Sequence, residues 1–426
     1  MLSIKFIRQN QKLIEKAARD KNIPTDLKRL LRVDQKRTKL IKEVEDLRAE
    51  KNKITKQIAT LKDPKKRLPF IKKIRLQKSI LSKKQRALSG VEEEFHQLML
   101  WVPNIPAPDV PVGKDESKNL EIKQWGKIPK FSFKIRDHIE LGNRLDLIDF
   151  ERGVKLGGFR SFFTKNEAVL MEYGLLDYSL RFMMQKSFTP LTVPWLVKPE
   201  YFYGTGFFPF AQEDHYKTQD GTCLIGTAEV SLAAYYAGET LDEKNLPQKL
   251  VGISPCFRRE VGSYGKDTRG IFRTHQFNKV EQVVLCKADI KESIFWHEEM
   301  LKFSEKIVQD LKLPYRVMLM CTGDMGAGQV KKYDLEVWYP AQHQFRETHS
   351  DSYFFDYQAR RLNIKYQTPK GEKKFVHTLN NTVIATPRIL GAILENYQQK
   401  DGSVAVPKIL QPYVGKAKIS PRKKIK

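Results

Sequence analysis

The chain of 426 residues is longer than one ordinary hydrophobic core requires, so we expect two domains. Lysine and arginine number 76 against 50 aspartates and glutamates, a formal charge of +26. Such an excess suits a polyanionic partner, although a generally basic proteome would produce it too. The 4 cysteines form no CxxC pair, which argues against a disulfide framework or a zinc site. No apolar leader or membrane-length apolar run is present, and we expect a cytoplasmic protein that makes no membrane contact.

The first hundred residues predict two long helices that pack against each other. Apolar residues in 40–61 recur at alternating steps of four and three, with Lys51 in the single missing position, and those in 74–95 recur every seven residues, as in the a/d seam of a coiled coil. The positions are Leu40, Val44, Leu47, Ile54, Ile58 and Leu61, then Ile74, Leu81, Leu88 and Phe95. Between them, Pro64 and Pro69 are expected to end one helix and open the next. We predict an antiparallel helical hairpin as the first domain, residues 1–103.

Lysine and arginine crowd the other positions of this hairpin near its predicted tip. The basic residues there are Lys65, Lys66, Arg67, Lys72, Lys73 and Arg75. They indicate either a surface for a polyanion or a charged, solvated face with no ligand, and composition alone leaves both open.

A proline-rich segment at 101–117, WVPNIPAPDVPVGKDES, cannot continue a helix and is the expected linker. Beyond it, apolar runs such as LVGISPCF and YDLEVWYP are interspersed with amphipathic helical stretches. Strands that cluster without regular βαβ alternation indicate an α+β domain on a largely antiparallel sheet, which we assign to residues 104–415. The basic residues 416–426 are expected to form a disordered tail.

The clearest chemical signal is a strand, a basic loop and a second strand. No Walker or Rossmann phosphate loop is present. Instead, Arg258, Arg259 and Glu260 follow LVGISPCF, and the loop GSYGKDTRG leads into FNKVEQVVLC. Arginine suits phosphate because its planar guanidinium donates two parallel hydrogen bonds, and Phe277 can stack on a base. Taken alone, the hairpin also fits a purely structural role.

Residues 256–281, CFRREVGSYGKDTRGIFRTHQFNKVE, resemble motif two of class II aminoacyl-tRNA synthetases in its seryl-tRNA synthetase form. Other blocks occur in that family's order. TPLTVPWLV resembles motif one, the dimer-forming segment, and LNNTVIATPRILG, with Arg388, resembles motif three. Thr227, Ala228 and Glu229 match the Thr-Ala-Glu signature. The resemblance covers residues 1–415.

The resemblance implies a class II synthetase-like antiparallel sheet flanked by helices, with a coiled-coil arm at the N-terminus. It implies a homodimer that activates L-serine with ATP and transfers the seryl group to the 3′ end of tRNA(Ser), with tRNA(Sec) as a further candidate. The basic hairpin is then expected to contact the tRNA by shape and backbone. The main alternative is a catalytically silent paralogue that keeps the fold and binds RNA. A synthetase for threonine or proline is a weaker alternative, since it would lack this arm and this Thr-Ala-Glu context.

The family's residue roles can be placed on individual positions of this chain. The resemblance implies that Arg258 contacts the α-phosphate and the amino-acid carboxylate, that Arg388 contacts the γ-phosphate, and that Phe277 stacks on adenine. The other implied ATP-binding residues are Arg259, Glu260, Thr274, Glu347, Thr348, His349 and Ser350. Glu347 and Ser350 are also the implied ligands of Mg²⁺, an ion that takes hard oxygen ligands and is completed by phosphates. The implied serine-binding residues are Thr227, Ala228, Glu229, Glu281 and Thr382.

Three departures from the family pattern bear on the site. After the metal-site glutamate the family has an aliphatic residue and Ser-Ser-Cys-Ser, whereas this chain has THSDS at 348–352. Asp351 is expected either to help bind the metal or to be solvated. Pro387 removes a backbone donor just before Arg388 and so bears on where that arginine lies. Thr382 stands where serine is common and keeps the hydroxyl. The charged catalytic residues are all present, which favours an active enzyme.

Overall fold

A computed structural model describes residues 1–261 and 269–422. These residues form two compact units. The N-terminal unit comprises residues 3–19 and 23–103, and the sheet unit comprises residues 1–2, 20–22 and the described chain from Asn104 onward. Among the described residues, no helix combines the length and the apolar character needed to cross a membrane.

The helices of the N-terminal unit are α1 (Ile4–Gln9), α2 (Gln11–Asp20), α3 (Leu27–Thr60) and α4 (Pro64–Leu100). Three ion pairs connect α3 to α4. Residues later in α3 pair with residues earlier in α4, so the two helices are antiparallel. The pairs are Arg29–Glu94 at 2.6 Å, Glu43–Lys84 at 2.7 Å and Glu50–Lys73 at 2.9 Å. All ten predicted seam residues are buried or half-buried, and the coiled-coil hairpin is confirmed.

The turn between α3 and α4 is built by a capped helix start. The Asp63 carboxylate accepts a hydrogen bond from the Lys65 backbone N–H at 2.9 Å, and Pro64 occupies the first turn of α4. Proline suits that position because its missing N–H would have no helical partner there. Pro69, which was expected to help open the helix, lies inside α4.

The sheet unit contains helices on both faces of a large sheet. Its described helices are α5 (His138–Arg144), α6 (Phe150–Gly157), α7 (Glu167–Gln185), α8 (Pro199–Thr205), α9 (Glu229–Ala233), α10 (Ile290–Asp310), α11 (Tyr357–Leu362), α12 (Thr386–Asn396) and α13 (Gln411–Val414). Its described strands are β1 (Leu120–Trp125), β2 (Ile148–Asp149), β3 (Phe163–Thr164), β4 (Thr189–Thr192), β5 (Leu196–Val197), β6 (Cys223–Leu224), β7 (Thr240–Asp242), β8 (Gln248–Phe257), β9 (Gln276–Cys286), β10 (Tyr315–Leu319), β11 (Lys331–Tyr339), β12 (Gln344–Phe355), β13 (Lys365–Gln367), β14 (Lys373–Phe375), β15 (His377–Ala385), β16 (Val404–Ala405) and β17 (Lys418–Ile419).

The main sheet has 8 strands in the order β1-β10-β11-β12-β15-β9-β8-β4. Neighbouring strands run antiparallel except β4 and β8, which are parallel. The predicted α+β domain on a largely antiparallel sheet is therefore confirmed.

Strand β9 is buried on both faces at the centre of this sheet. Val280 and Val284 belong to a core cluster that includes side chains of α7, α10 and α12. Val283 and Leu285 point the other way, into a second cluster with side chains of α8, α9 and α11. Side chains alternate between faces along a strand, so the odd-numbered residues of β9 share the face covered by α8, α9 and α11.

The predicted disordered tail is partly wrong. Within the described residues, Lys418–Ile419 pair antiparallel with Val404–Ala405. Lys416 and Arg422 also form ion pairs with Glu167, at 2.5 Å and 2.6 Å. Residues 423–426 of the predicted tail lie outside the described residues.

Candidate active site

A pocket of about 240 Å³ opens on the odd-numbered face of β9. Strands β9, β12 and β15, the segment that follows β8, and the starts of α9 and α12 contribute its walls. Twelve residues predicted from the sequence line it: Thr227, Glu229, Arg258, Glu260, Thr274, Phe277, Glu281, Glu347, Thr348, Ser350, Thr382 and Arg388. The pocket thus collects residues from segments that are up to 161 positions apart, from Thr227 to Arg388.

Arg258 lies at the end of β8 with its guanidinium held in place. Its Nε donates to the Gly226 carbonyl at 3.2 Å, next to the predicted serine-binding Thr227. Its Cζ atom lies 5.1 Å from the centre of the Phe277 ring, within the range of a cation–π contact. Cation and ring therefore occupy adjoining parts of one wall, as a phosphate and a base would require.

Glu260 adopts a left-handed backbone conformation, with φ of 54°. Such a conformation costs a non-glycine residue about 1–3 kcal/mol and often marks a functional position. The Glu260 Oε2 atom lies 3.1 Å from Arg273 Nη1 and 3.9 Å from Arg160 Nη1. Two arginines thus hold this carboxylate at the edge of the pocket.

Arg388 enters the pocket from the first turn of α12. Pro387 occupies a first-turn position of that helix, where no N–H is needed, so it does not disturb the arginine. The Arg388 guanidinium lies 4.5 Å from the centre of the Phe272 ring, and its Nε donates to the Phe272 carbonyl at 3.2 Å. Its Nη1 atom donates to the Glu347 carbonyl at 2.8 Å and lies 3.2 Å from Glu347 Oε2.

A β-bulge places Glu347 and Ser350 on the same face of β12. Glu336 pairs with Glu347 and Asp334 pairs with Ser350, so Thr348 is the extra residue on β12. Without the bulge, side chains three positions apart would point to opposite faces. The bulge brings the two predicted metal ligands into the same pocket.

Glu347 is held in its ionised form. Burial would raise its pKa, but the cations of Arg388, Lys332 and Arg258 lower the pKa to about 2. Its side chain is still 44% exposed. An ionised carboxylate beside a hydroxyl is the kind of hard oxygen set that Mg²⁺ takes. Among the described residues, no group of three or more His, Cys, Asp or Glu side chains is placed to hold a metal ion.

The remaining polar groups gather at the other end of the pocket. Thr382 and Glu281 face each other across β15 and β9, and the Thr382 hydroxyl donates to Glu281 Oε2 at 3.4 Å. Glu229 accepts a hydrogen bond from Gln358 Nε2 at 2.8 Å. Burial raises the pKa of Glu229 to about 7, and the negative charge of Glu281 adds to the effect. The three side chains present two carboxylates and a hydroxyl to a ligand.

Sequence reasoning missed three residues that shape the pocket, two of them at this end. Lys279 lines it, and the alternation of β9 would have found it between Phe277 and Glu281. Gln358 orients Glu229 and also accepts from the Thr378 hydroxyl at 2.7 Å, but nothing in its local sequence marks it.

The third missed residue is Phe272, which lines the pocket beside Arg388. Two guanidinium groups flank its ring, since Arg346 lies 3.8 Å from its centre and Arg388 lies on it as well. Its position at the end of the basic loop was the available signal.

Three predicted site residues do not line the pocket. Ala228 is fully buried behind it. Arg259 points elsewhere and donates to the Glu213 carbonyl at 2.9 Å. His349 is on the opposite face of β12, where its Nε2 lies 3.2 Å from the Val383 carbonyl oxygen. Its direct contact with ATP, implied by the resemblance, finds no support in this geometry.

Asp351 is neither a pocket residue nor solvated, and both sequence expectations for it are wrong. It is 1% exposed and points toward α10, where His297 Nε2 lies 3.7 Å from its Oδ2 atom. Burial raises the pKa of Asp351 well above its usual range, with Glu298 adding to the shift.

Only the end of the predicted basic loop is described, because residues 262–268 lie outside the described residues. There, Gly270 has a φ of 82°, and a Cβ atom on it would come within 2.2 Å of His138 Nε2. His138 Nδ1 in turn lies 2.8 Å from the buried Glu395 Oε1. Close approach to a fixed imidazole therefore requires glycine where the chain enters the pocket wall.

Comparisons with known proteins bear on the identity of this pocket. Residues 210–397 match the family model described as the tRNA synthetase class II core domain (G, H, P, S and T), and residues 1–106 match the seryl-tRNA synthetase N-terminal domain. The serine–tRNA ligase of Deinococcus radiodurans is 44% identical over 97% of this chain and 98% of its own length. That of Rubrobacter xylanophilus is 40% identical over the full length of both chains.

The chain belongs to the seryl-tRNA synthetase family. Two solved structures agree with this assignment. Seryl-tRNA synthetase from Pyrococcus horikoshii, complexed with ATP, has a TM-score of 0.90 and 38% identity, and the match covers 99% of this chain and 100% of that chain. The cytoplasmic serine–tRNA ligase of Naegleria fowleri, in complex with AMP, has a TM-score of 0.86 and 30% identity over 99% of each chain.

These matches confirm three sequence expectations for this seryl-tRNA synthetase family member: the class II fold, the helical N-terminal arm and the function of a serine–tRNA ligase. The alternative of a catalytically silent paralogue receives no support from them. The matches do not bear on individual residues.

Proposed function

We propose that the pocket on β9 is where this serine–tRNA ligase forms seryl-adenylate from L-serine and ATP. The observation that carries the proposal is the meeting of two residue sets in one pocket. The arginines Arg258 and Arg388 lie in the same enclosure as the carboxylates Glu229 and Glu281. Cations suit the phosphates and the amino-acid carboxylate, and the carboxylates suit the ammonium and hydroxyl groups of serine.

In the first step, a carboxylate oxygen of serine attacks the α-phosphorus in line, an O–P bond forms, and pyrophosphate leaves. No side-chain nucleophile is needed, so the protein acts by positioning anions and balancing their charge. We assign the α-phosphate and the serine carboxylate to Arg258, the γ-phosphate to Arg388, and adenine to the Phe277 ring. Glu260 and Thr274 complete the adenosine side.

Glu347 and Ser350 fit a Mg²⁺ site in the proposed reaction. Their oxygens are hard ligands on one face of β12, and Glu347 stays ionised near neutral pH. Two protein ligands are typical for Mg²⁺, which takes its other ligands from phosphate and water. A Mg²⁺ ion held by these two residues would neutralise part of the phosphate charge.

Selection of serine is proposed to depend on paired polar groups. Thr227, Glu229, Glu281 and Thr382 present hydrogen-bonding atoms to the ammonium and hydroxyl groups. Alanine would leave the partners of the hydroxyl buried and unpaired, which typically lowers reactivity by ~10⁴-fold or more. Threonine must be excluded by size, which is a weaker discriminator.

In the second step, a ribose hydroxyl at the 3′ end of tRNA(Ser) attacks the seryl carbonyl, and AMP leaves. We propose that the lysines near the α3–α4 turn contact the tRNA, because exposed cations on a rigid helical pair suit an RNA backbone. A homodimer formed through α7 and β4, the segments that resemble motif one, and a cytoplasmic location are further parts of the proposal. tRNA(Sec) is a candidate second substrate.

The residue assignment can be tested with two adjacent arginines. Arg258→Ala should abolish serine-dependent ATP–pyrophosphate exchange, because two substrate anions lose their shared cation. Arg259→Ala should retain exchange within about threefold, since Arg259 points toward Glu213 and its backbone. Near-normal exchange by Arg258→Ala would refute the assignment.

A further inference from the structure

Three side chains line the pocket in sequence along β9: Phe277, Lys279 and Glu281. Alternate residues of a strand lie about 7 Å apart on one face. Phe277 is at the end assigned to adenine, and Glu281 is at the end assigned to serine. Lys279 therefore lies between them, level with the place where the serine carboxylate meets the α-phosphate.

The Lys279 ammonium is buried and has two partners in the pocket. It donates to Thr227 Oγ1 at 2.8 Å and forms an ion pair with Glu281 Oε2. The Lys279 and Glu281 side chains are 6% and 3% exposed. A buried ion is costly unless an opposite charge accompanies it, so neither group can lose its partner without a replacement.

We propose that Lys279 binds the carboxylate of the amino-acid substrate. This inference rests on the proposed serine pocket and adds a contact to it. Serine arrives as a zwitterion, with one ammonium and one carboxylate group. Its ammonium competes with Lys279 for Glu281 and Thr227, and its carboxylate is the anion that Lys279 then requires. Insertion of the zwitterion into the Lys279–Glu281 pair leaves every buried charge paired and the net charge of the pocket unchanged.

This contact also has a place in the reaction. One carboxylate oxygen must face the α-phosphorus, and the other needs a donor to fix the orientation of the group. The Lys279 ammonium supplies that donor from β9, while Arg258 approaches from the end of β8. Lys279 transfers no proton, because the attacking carboxylate is already ionised and pyrophosphate leaves as an anion.

The competing explanation is that Lys279 only holds Glu281 in place. The two roles differ in their response to a ligand without a carboxylate. Serinamide keeps the ammonium and the hydroxyl of serine but replaces the carboxylate with a neutral amide. If Lys279 binds the carboxylate, its replacement weakens the binding of serine far more than that of serinamide. If Lys279 only supports Glu281, its replacement weakens the binding of both ligands equally.

The test is to compare Lys279→Met with the intact chain by NMR titration of serine and of serinamide. The dissociation constant of serine should rise ~10–100-fold, and that of serinamide should change by less than ~threefold. Equal losses for both ligands, or no loss for serine, overturn the inference. Lys249→Met is the matched control, because Lys249 lies on β8 outside the pocket and should leave both constants unchanged.

A second variant guards against misfolding of the first. Lys279→Arg keeps the charge and should retain most of the preference for serine over serinamide, although its larger head group weakens both ligands. Loss of that preference in Lys279→Arg would contradict the inference. If the intact chain itself bound neither ligand, the proposed serine pocket would be wrong, which is distinct from failure of the Lys279 contact alone.

Discussion

Arg388 Nη1 lies 2.8 Å from the carbonyl oxygen of Glu347 and 3.2 Å from its Oε2 atom. A single guanidinium group therefore secures β12 beside its bulge and balances the Glu347 carboxylate. Two pocket-lining groups, for which we propose contacts with a phosphate and with Mg²⁺, are therefore positioned through each other. Loss of one should disturb the other.

Arg388→Gln should lower the rate of ATP–pyrophosphate exchange by ~100-fold or more, because a phosphate contact and the balance of Glu347 disappear together. The Mg²⁺ concentration required for half-maximal exchange should change as well. Steady-state kinetics at several ATP and Mg²⁺ concentrations would measure both effects. Arg316→Gln is the control: Arg316 pairs with Glu336 at 2.6 Å but does not line the pocket, so exchange should be near normal.

The pKa of Glu229, about 7 because of burial and the nearby Glu281 charge, predicts a pH dependence of serine binding. In the proposed serine pocket the ionised carboxylate binds the substrate ammonium, and protonation below pH 7 removes that ionised form. The KM for serine should therefore fall by roughly tenfold between pH 6 and pH 8. A KM that rises over this interval would contradict the assignment. Glu229→Gln should bind serine weakly and lose this dependence.

The sequence predicts which residues line the pocket better than it predicts how their side chains are arranged. Twelve predicted residues line one pocket. Long motifs in a fixed order identify such residues even when they are far apart in the chain. Glu347 and Ser350 are three residues apart, and strict alternation would have put them on opposite faces; only the bulge at Thr348 brings them together. The same bulge turns His349 away from the pocket. Register irregularities of this kind leave no local sequence signal.

The burial of Asp351 is a second example of what the sequence could not reveal. The charge of Asp351 beside a predicted metal ligand suggests polar surroundings. However, β12 is a central strand, and α10 covers one of its faces. Which face a residue occupies depends on pairing with β11 and β15, and those partners come from distant parts of the chain. The hairpin arm was easier to predict, since its heptads are local.

Gly270→Ala should reduce adenylate formation by displacing the pocket wall at Ile271 and Phe272. The new Cβ would lie 2.2 Å from His138 Nε2, so either the imidazole or the backbone must move. Gly238→Ala is a close control, with the same φ of 82° and no atom within 4 Å of its Cβ position. Single-turnover adenylate formation should be slowed at least ~tenfold more by Gly270→Ala than by Gly238→Ala. Equal rates would show that the contact has no effect on the site.

Replacement of Lys65, Lys66 and Lys72 by glutamine should separate the two steps. These exposed lysines lie near the α3–α4 turn, whereas Arg67 and Lys73 have contacts within the arm and are left intact. Exchange should be unchanged, the KM for tRNA(Ser) should rise ~tenfold or more, and its dependence on salt should weaken. The same substitutions at Lys127, Lys130 and Lys134 control for net charge. Unchanged tRNA charging in the first variant would refute the arm's proposed role.

The most direct test of the central claim is ATP–pyrophosphate exchange by the purified chain with serine as the amino acid. Alanine, threonine and cysteine serve as comparisons, because they lack the hydroxyl, add a methyl group, or replace the oxygen with sulfur. If the pocket forms seryl-adenylate, exchange should be rapid with serine and at least ~10⁴-fold slower with alanine. Absence of exchange with serine, or equal exchange with alanine, would contradict the proposed function.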